Sequence, residues 1–322
     1  MATAFSPSNS VTTSTAATFI PEIWSDEIVA AYKKNLVLAN LVMKMNFKGK
    51  KGDTVHIPAP TRGSASAKAA ETAVTLIAAS ETEVQVAINK HYEYSRLIED
   101  IVEAQALNSL RNFYTADAGY ALARQVDTDL VRLGRAFNGA TVGTDDYATS
   151  ASSTKAYIGG DGTTAYNSST SNASALTDAA IRRTIQRLDD SDVPMDGRFF
   201  IIPPSSRNTL MGLSRYTEQA FVGESGSGNT IRNGMIGDIY GVPVYVTTNA
   251  DYANSAVNGS GTNIGRVCLM GHKDSMVLVE QQGIRSQTQY KQEYLGTLFT
   301  ADTLYGVSEL RDYGAVALVV PA

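Results

Sequence analysis

The longest hydrophobic pattern in the chain runs from Leu97 to Phe137, where apolar residues recur at steps of four and once of three. This spacing predicts a helix, because residues three and four apart share one helix face. Ser95 is expected to cap its start, and Asn138 and Gly139 are expected to end it. The stripe consists of Ile98, Val102, Ala106, Leu110, Tyr114, Ala118, Leu122, Val126, Leu130, Leu133 and Phe137.

The length of this helix affects the shape expected for the whole molecule. About 40 helical residues make a rod of about 60 Å, whereas a compact globule of 322 residues is only about 50 Å across. The sequence therefore predicts an elongated or plate-like molecule, or a helix that bends, with Gly119 as its weak point. Steps of four overshoot a turn of 3.6 residues, so the stripe winds around the rod and must pack against several elements.

Two short stretches before this helix, 53–57 and 83–89, carry patterns typical of strands. The residues between them are mostly Ala, Ser, Thr and Gly, and so long a stretch without structure is uncommon inside a compact domain. It is either a flexible insertion or a two-stranded arm laid across a neighbouring subunit.

The charge along this arm favours contact with other subunits. Bases dominate residues 44–68 and acids dominate 71–83, so opposite patches of one arm can meet their complements on adjacent copies. The charged residues expected to make contacts between subunits are Lys44, Lys48, Lys50, Lys51, Arg62, Lys68, Glu71, Glu81 and Glu83.

The second half of the chain predicts an α+β unit, with helices flanking a small sheet. Thr177 is expected to cap a helix, Asp196 and Gly197 to form a turn, and Pro204 to begin a short helix that runs to Leu213. The expected strands are 198–202, 235–248, 266–270 and 275–280, followed by two long extended runs, 284–299 and 304–320, that pair along the long helix.

A Gly/Ser-rich loop, 216–234, interrupts this unit. Glycine permits several backbone paths, so Gly223, Gly226 and Gly228 are candidate contact residues in rings of different symmetry.

Composition excludes several classes of protein. The chain has 27 basic and 32 acidic residues and a net charge of -5, which argues against a nucleic-acid binder that works by neutralising phosphates. It has no run of 18 apolar residues that would span a membrane and no secretory signal pattern. Cys268 is the sole cysteine and is expected to be a buried, inert thiol.

The sequence contains no recognisable catalytic pattern. His56, His91 and His272 lack the spacing of metal ligands. The motif that starts at Gly223 and contains Ser225 lacks the final glycine of a nucleophile elbow. We therefore predict no catalytic residue, no cofactor and no metal site.

The order of these parts resembles the major capsid proteins of tailed double-stranded DNA bacteriophages with the HK97-type fold. Local similarity lies at Arg198-Phe-Phe-Ile-Ile-Pro-Pro, at Ile236-Gly-Asp-Ile-Tyr-Gly-Val-Pro-Val, and from Tyr305-Gly-Val through Arg311-Asp-Tyr-Gly-Ala-Val. The resemblance implies an α+β fold with five parts. These are an N-terminal arm and helix (1–46), an extended loop (47–90), a peripheral domain with a spine helix and a Ser/Thr/Gly-rich loop (91–175), an axial domain (176–280), and closing peripheral strands (281–322).

The resemblance also implies a function. Such a chain would assemble into pentamers and hexamers of an icosahedral phage head around double-stranded DNA, without sequence-specific binding, catalysis or contact with a membrane. With no room for a long N-terminal scaffolding segment, it would use a separate scaffolding protein, besides a portal and decoration proteins. It would assemble in the host cytoplasm and end in the virion. The alternatives are an encapsulin-like nanocompartment shell and an enzyme with an unusual loop insertion.

Overall fold

The computed structural model describes residues 37–49, 51–60, 63–74, 76, 81–100, 109–137, 147, 156–167, 172–213, 237–253 and 265–322. These residues form twelve strands and three α-helices. The strands are β1 (Met43–Asn46), β2 (Thr54–Pro60), β3 (Glu81–Ala87), β4 (Lys90–Glu99), β5 (Tyr157–Ile158), β6 (Arg198–Ile202), β7 (Asp238–Ile239), β8 (Val242–Val246), β9 (Gly265–His272), β10 (Met276–Lys291), β11 (Gly296–Glu309) and β12 (Ala315–Pro321). The helices are α1 (Ser109–Arg132), α2 (Asp178–Asp190) and α3 (Pro204–Met211). The described helices include none that is long and apolar enough to cross a membrane.

A four-stranded sheet with the order β1-β10-β11-β4 carries the long antiparallel ribbon of β10 and β11. Helix α1 covers one face of this sheet, where Ala118 and Leu122 pack against Phe299 and Ala301. The ribbon turns at 292–295, where Leu295 adopts a left-handed conformation with φ of 43°. The predicted covering of the long helix by extended strands is confirmed for this ribbon.

A six-stranded sheet with the order β5-β12-β9-β6-β8-β7 forms the second body of the core. The side chain of Thr177 accepts a hydrogen bond from the amide of Ala180 and caps α2, as the sequence predicts. Helix α2 buries Ile181 and Leu188 against the sheet, in a cluster that includes Phe200 and Leu318. The predicted α+β unit is therefore confirmed.

The last extended run differs from the prediction for 304–320. Strand β11 ends at Glu309, and the chain then crosses to the six-stranded sheet, where β12 pairs antiparallel with β9. The break arises at the turn Asp312–Gly314, which interrupts the ladder. The sequence pattern predicts strands on both sides of this turn, so it does not indicate that the chain changes sheet there.

The predicted start of the long helix is wrong. Residues 90–99 form β4, and Leu97 and Ile98 pair with Leu298 and Thr297 of β11. Ser95 therefore lies in a strand and caps no helix. The alternation of Tyr92, Tyr94 and Ile98 has the period of a strand, but Ile98 also continues the helical spacing, so the sequence is ambiguous there.

Helix α1 is continuous through Gly119 and ends at Arg132, where a 3₁₀ turn, Leu133–Arg135, replaces the predicted continuation to Phe137. Residues 101–108, and the predicted stop at 138–139, lie outside the described residues.

The two early strands pair as an antiparallel hairpin of β2 and β3, in which Thr54 faces Ala87 and Pro60 faces Glu81. Val55 and Val86 are buried at its base, in a cluster with Val277 of β10. Apolar burial thus anchors the hairpin to the four-stranded sheet at one end. The prediction of two strands is confirmed, with β2 extended to Pro60.

Candidate assembly interface

The part of the hairpin beyond its base lies exposed. Every described residue of 63–74 is exposed, and so is residue 76. Val74 is 68% exposed and Leu76 is 88% exposed, relative to a fully accessible residue of each type. Two large apolar side chains on an extended arm bury little within their own chain, which is typical of a surface that binds a partner.

Several charged residues in and near the arm contact other residues of the same chain. Lys44 donates to the Oδ1 atom of Asn40 at 3.2 Å, and Lys48 lies 3.8 Å from Glu280. Glu83 lies 3.0 Å from His56 of the facing strand. The pKa of Glu83 is lowered, first by a hydrogen bond from Gln85 and then by one from His56.

The remaining predicted contact residues fall into two groups. Exposed side chains without a described ion pair are Lys51, Lys68 and Glu71. The residues, or side chains, outside the described part are Lys50, Arg62, the side chain of Glu81, Gly223, Gly226 and Gly228. Among the described residues of the arm, no lysine or arginine pairs with an acidic group of the arm, and His56 with Glu83 is the contact between a basic and an acidic side chain there.

A buried carboxylate on α1 fixes the chain segment that leads to the arm. Asp127 accepts a hydrogen bond from the amide of Leu38 at 2.9 Å and one from the side-chain amide of Asn249 at 2.9 Å. Burial raises the pKa of Asp127, and these hydrogen bonds oppose the rise. One side chain thus ties together the helix, the turn Leu38–Asn40 and the segment after β8.

A second carboxylate, two residues further along α1, joins the helix to the ribbon and to β4. Asp129 accepts a hydrogen bond from the hydroxyl of Tyr305 at 2.8 Å and lies 3.2 Å from the ammonium group of Lys90. Burial raises the pKa of Tyr305, so its hydroxyl stays protonated and donates. Neither carboxylate was predicted from the sequence. The available signal was the position of two acids, Asp127 and Asp129, beside the apolar stripe of the helix.

The C-terminal end of α1 is held by a third contact. The guanidinium of Arg135 lies 2.8 Å from the carboxylate of Asp251, which also accepts a hydrogen bond from Tyr147 at 3.2 Å. Burial raises the pKa of Tyr147 well above its usual value. This group joins the end of α1 to the segment that follows β8.

A fourth polar group stabilises the irregular middle of the ribbon, where the register of β10 and β11 shifts near Gln282. Asp302 accepts hydrogen bonds from Gln282 at 2.7 Å, from Arg285 at 2.7 Å and 3.0 Å, and lies 3.2 Å from the Nε2 atom of His91. The guanidinium of Arg285 is the main reason that the pKa of Asp302 falls to about 2. The contact thus joins β10, β11 and β4 at the point where the register shifts.

In the described part of the chain, the cysteine is inert and no cluster of metal ligands occurs. Cys268 is buried, its sulfur lies 3.2 Å from the Oγ atom of Ser206, and burial raises its pKa to about 12. A thiol with that pKa stays protonated and unreactive near neutral pH. Across the described ranges, no three His, Cys, Asp or Glu side chains lie close enough together to hold a metal ion. The prediction for Cys268 is confirmed.

Comparison with known proteins supports the fold. No family model and no curated protein matches the chain. Among solved structures, it is similar to a chain of Mycobacterium phage Che8, with 23% identity and a TM-score of 0.70 over 93% of this chain and 97% of that one. The capsid of Cyanophage P-SCSP1u matches with 18% identity and a TM-score of 0.70, over 98% of this chain and 99% of that one. The capsid of Cyanophage Pam1 matches with 14% identity and a TM-score of 0.73, over 98% of each chain. The chain therefore has the fold found in phage capsids, an α+β arrangement consistent with the HK97-type fold expected from the order of its parts.

Proposed function

We propose that this protein is the major capsid protein of a tailed bacteriophage, which assembles into pentamers and hexamers of an icosahedral head around double-stranded DNA. The observation that carries the proposal is the exposed hairpin arm, because it displays Val74 and Leu76 far from any core of its own. Similarity to phage capsid structures over nearly the whole chain supports the same function.

The proposed parts of the chain follow the sheets only in part, because β5 in 91–175 belongs to the six-stranded sheet and β10, which begins within 176–280, belongs to the four-stranded sheet. Residues 47–90 are the arm between subunits, 91–175 the peripheral domain, and 176–280 the axial domain, with 1–46 as the N-terminal arm and helix. The closing segment, 281–322, is shared, since β11 stays in the four-stranded sheet and β12 joins the six-stranded one. The further partners that we propose are a separate scaffolding protein and a portal, and the site of assembly is the host cytoplasm.

The test removes the arm and keeps its base. Residues 61–80 are deleted, and Pro60 is joined to Glu81 through an Asn-Gly turn, because these two residues face each other in the hairpin. We expect a folded subunit with unchanged secondary structure by circular dichroism and no closed particles by electron microscopy. Complete shells from the deletion variant would contradict the assembly role of the arm.

A milder double substitution keeps the length of the arm and removes only its two exposed apolar side chains. Val74→Ser with Leu76→Ser should lower the yield of particles. Met195→Ser is the control, because Met195 is equally exposed, at 69%, but lies away from the arm.

Nucleic-acid content of the particles, measured by absorbance, distinguishes a genome-filled head from a compartment that packages a cargo protein.

A further inference from the structure

A cleft of about 210 Å³ opens between helix α2 and the edge of the six-stranded sheet. Its lining includes Tyr157 of β5, Arg183, Arg187 and Asp190 of α2, and Tyr313 of the turn before β12. Tyr313 is 63% exposed and stands at the surface. The size of the cleft suits one amino-acid side chain, and its lining combines polar and aromatic side chains with Ala315 and Val316 of β12.

Arg187 is held in place by contacts with neutral groups. Its guanidinium lies 3.5 Å from the centroid of the Tyr157 ring and donates to the carbonyl oxygen of Gly162 at 3.0 Å. Burial is the main cause that lowers the pKa of Arg187, and the neighbouring charge of Arg183 acts in the same direction, whereas Tyr157 and the carboxylate of Asp161 oppose it. The two guanidiniums therefore repel each other across a partly desolvated space.

Arg183 also lacks an acidic partner in the described part of the chain. It donates to the Oε1 atom of Gln186 at 2.7 Å, and neither it nor Arg187 forms an ion pair with a described carboxylate. The adjacent Arg182, by contrast, pairs with Asp178 at 3.0 Å. Among the residues that line the cleft, the two arginines face one carboxylate, that of Asp190, so the lining carries a net positive charge. Asp161 acts on Arg187 from outside the lining.

We propose that the cleft binds a carboxylate side chain of a second copy of this chain. A guanidinium binds a carboxylate through two parallel hydrogen bonds, and an anion would relieve the repulsion between the two arginines. The chain has five more acids than bases, 32 against 27, so a neighbouring copy offers carboxylates in excess. This inference rests on the proposed function, because it requires that copies of the chain associate.

The experiment uses the full chain and measures subunit association by sedimentation velocity at low and at high salt. Arg183→Gln should weaken association about tenfold at low salt, the effect of losing about 1.4 kcal/mol, and should reduce its dependence on salt. Arg183→Lys should recover part of the loss. Arg182→Gln is the matched control, since Arg182 lies on the same helix but is already paired, and it should associate like the wild type.

Three results would overturn the inference. Association of Arg183→Gln at the wild-type level is one, and an equal loss in Arg182→Gln is the second, because it would indicate a general effect of surface charge. The third is binding of inorganic phosphate to the unassembled chain that depends on Arg183 while association does not, which would assign the cleft to a free oxyanion. Normal shells from Arg183→Gln contradict only this inference, whereas a wild-type chain that never associates contradicts the proposed function as well.

Discussion

At the scale of single residues, buried carboxylates join distant elements of this fold. Asp127 and Asp129 both lie on α1, yet they reach different elements, the turn Leu38–Asn40 and strand β11. A buried acceptor is costly when it loses its donors. These side chains therefore select one arrangement of the elements around α1 in a way that apolar packing alone would not.

We predict that Asp127→Ala destabilises the unassembled subunit by about 1–3 kcal/mol, because the amide of Leu38 and the side chain of Asn249 lose their acceptor. Urea unfolding followed by circular dichroism measures the change. Arg124→Ala, at an exposed position of the same helix, is the control and should change stability by less than about 0.5 kcal/mol. Equal stability of the two variants would show that the contact is not structural.

Glu309, at the end of β11, predicts a dependence of stability on pH. Its Oε2 atom is buried without a hydrogen-bond partner among the described residues, and burial, aided by the charge of Asp312, raises its pKa from 4.5 to about 7. The folded state thus binds this proton more tightly than the unfolded state, so stability falls as pH rises from about 4.5 to about 7 and then stays low.

Glu309→Gln should therefore be more stable than the wild type at pH 8, by about 1–2 kcal/mol after allowance for solvent screening, and should differ little at pH 4. Thermal unfolding of the unassembled subunit at both pH values makes the comparison. A difference that is the same at pH 4 and pH 8 would rule out ionisation of Glu309 as the cause.

At the scale of elements, local pattern and sheet pairing compete. The residues of β4 continue the spacing of the long helix at Ile98, but their ladder with β11 decides their conformation. The space around glycine also differs between helix α1 and the ribbon. A Cβ atom added at Gly119 meets no atom within 4 Å, whereas one added at Gly306 would lie 2.5 Å from the carbonyl oxygen of Ala87.

Two alanine variants test this contrast. Gly119→Ala should stabilise the subunit by about 0.5–1 kcal/mol, because alanine loses less backbone entropy in a helix. Gly306→Ala should destabilise it, since the backbone of Ala87 must move and strand β11 lies in the interior of its sheet. Denaturant midpoints of both variants provide the measurement, and a loss of stability in Gly119→Ala would mean that helix α1 requires glycine there.

At the scale of the whole molecule, the chain passes between the two sheets at two neighbouring connections, here called crossings. One joins β9 to β10 through Lys273–Ser275, and the other joins β11 to β12 through Asp312–Gly314. The crossings contact each other, because the amide of Leu310 donates to the carbonyl oxygen of Ser275 at 2.8 Å. The arm projects from the four-stranded sheet, so it is available to a neighbour while both sheets stay intact.

Reversing charge at Lys48, Lys50 and Lys51 to Glu should slow assembly or weaken the shell most at low salt. Each exposed pair contributes about 0.2–1 kcal/mol, but a shell repeats it in every subunit, and salt screens it over about 10 Å at 0.1 M. Light scattering during assembly at several salt concentrations follows the effect.

Lys48→Glu alone is the control for this test. Lys48 already lies 3.8 Å from Glu280 of its own chain, so the single variant measures the effect of losing that contact within the subunit. A triple variant that assembles like the wild type at low salt would show that the basic stretch is a solvated face.

The sequence by itself determined most elements of this protein. Period and capping residues predicted the body of α1, the capped helix α2, the hairpin strands and the buried Cys268, because these features depend on neighbours in the chain. The order of these parts also indicated the phage capsid fold. Only the tertiary structure decided that residues 90–99 form a strand, that β12 changes sheet, and that Asp127, Asp129 and Asp302 join distant segments. Such contacts form between residues far apart in the chain, and local periodicity carries no information about which of them meet.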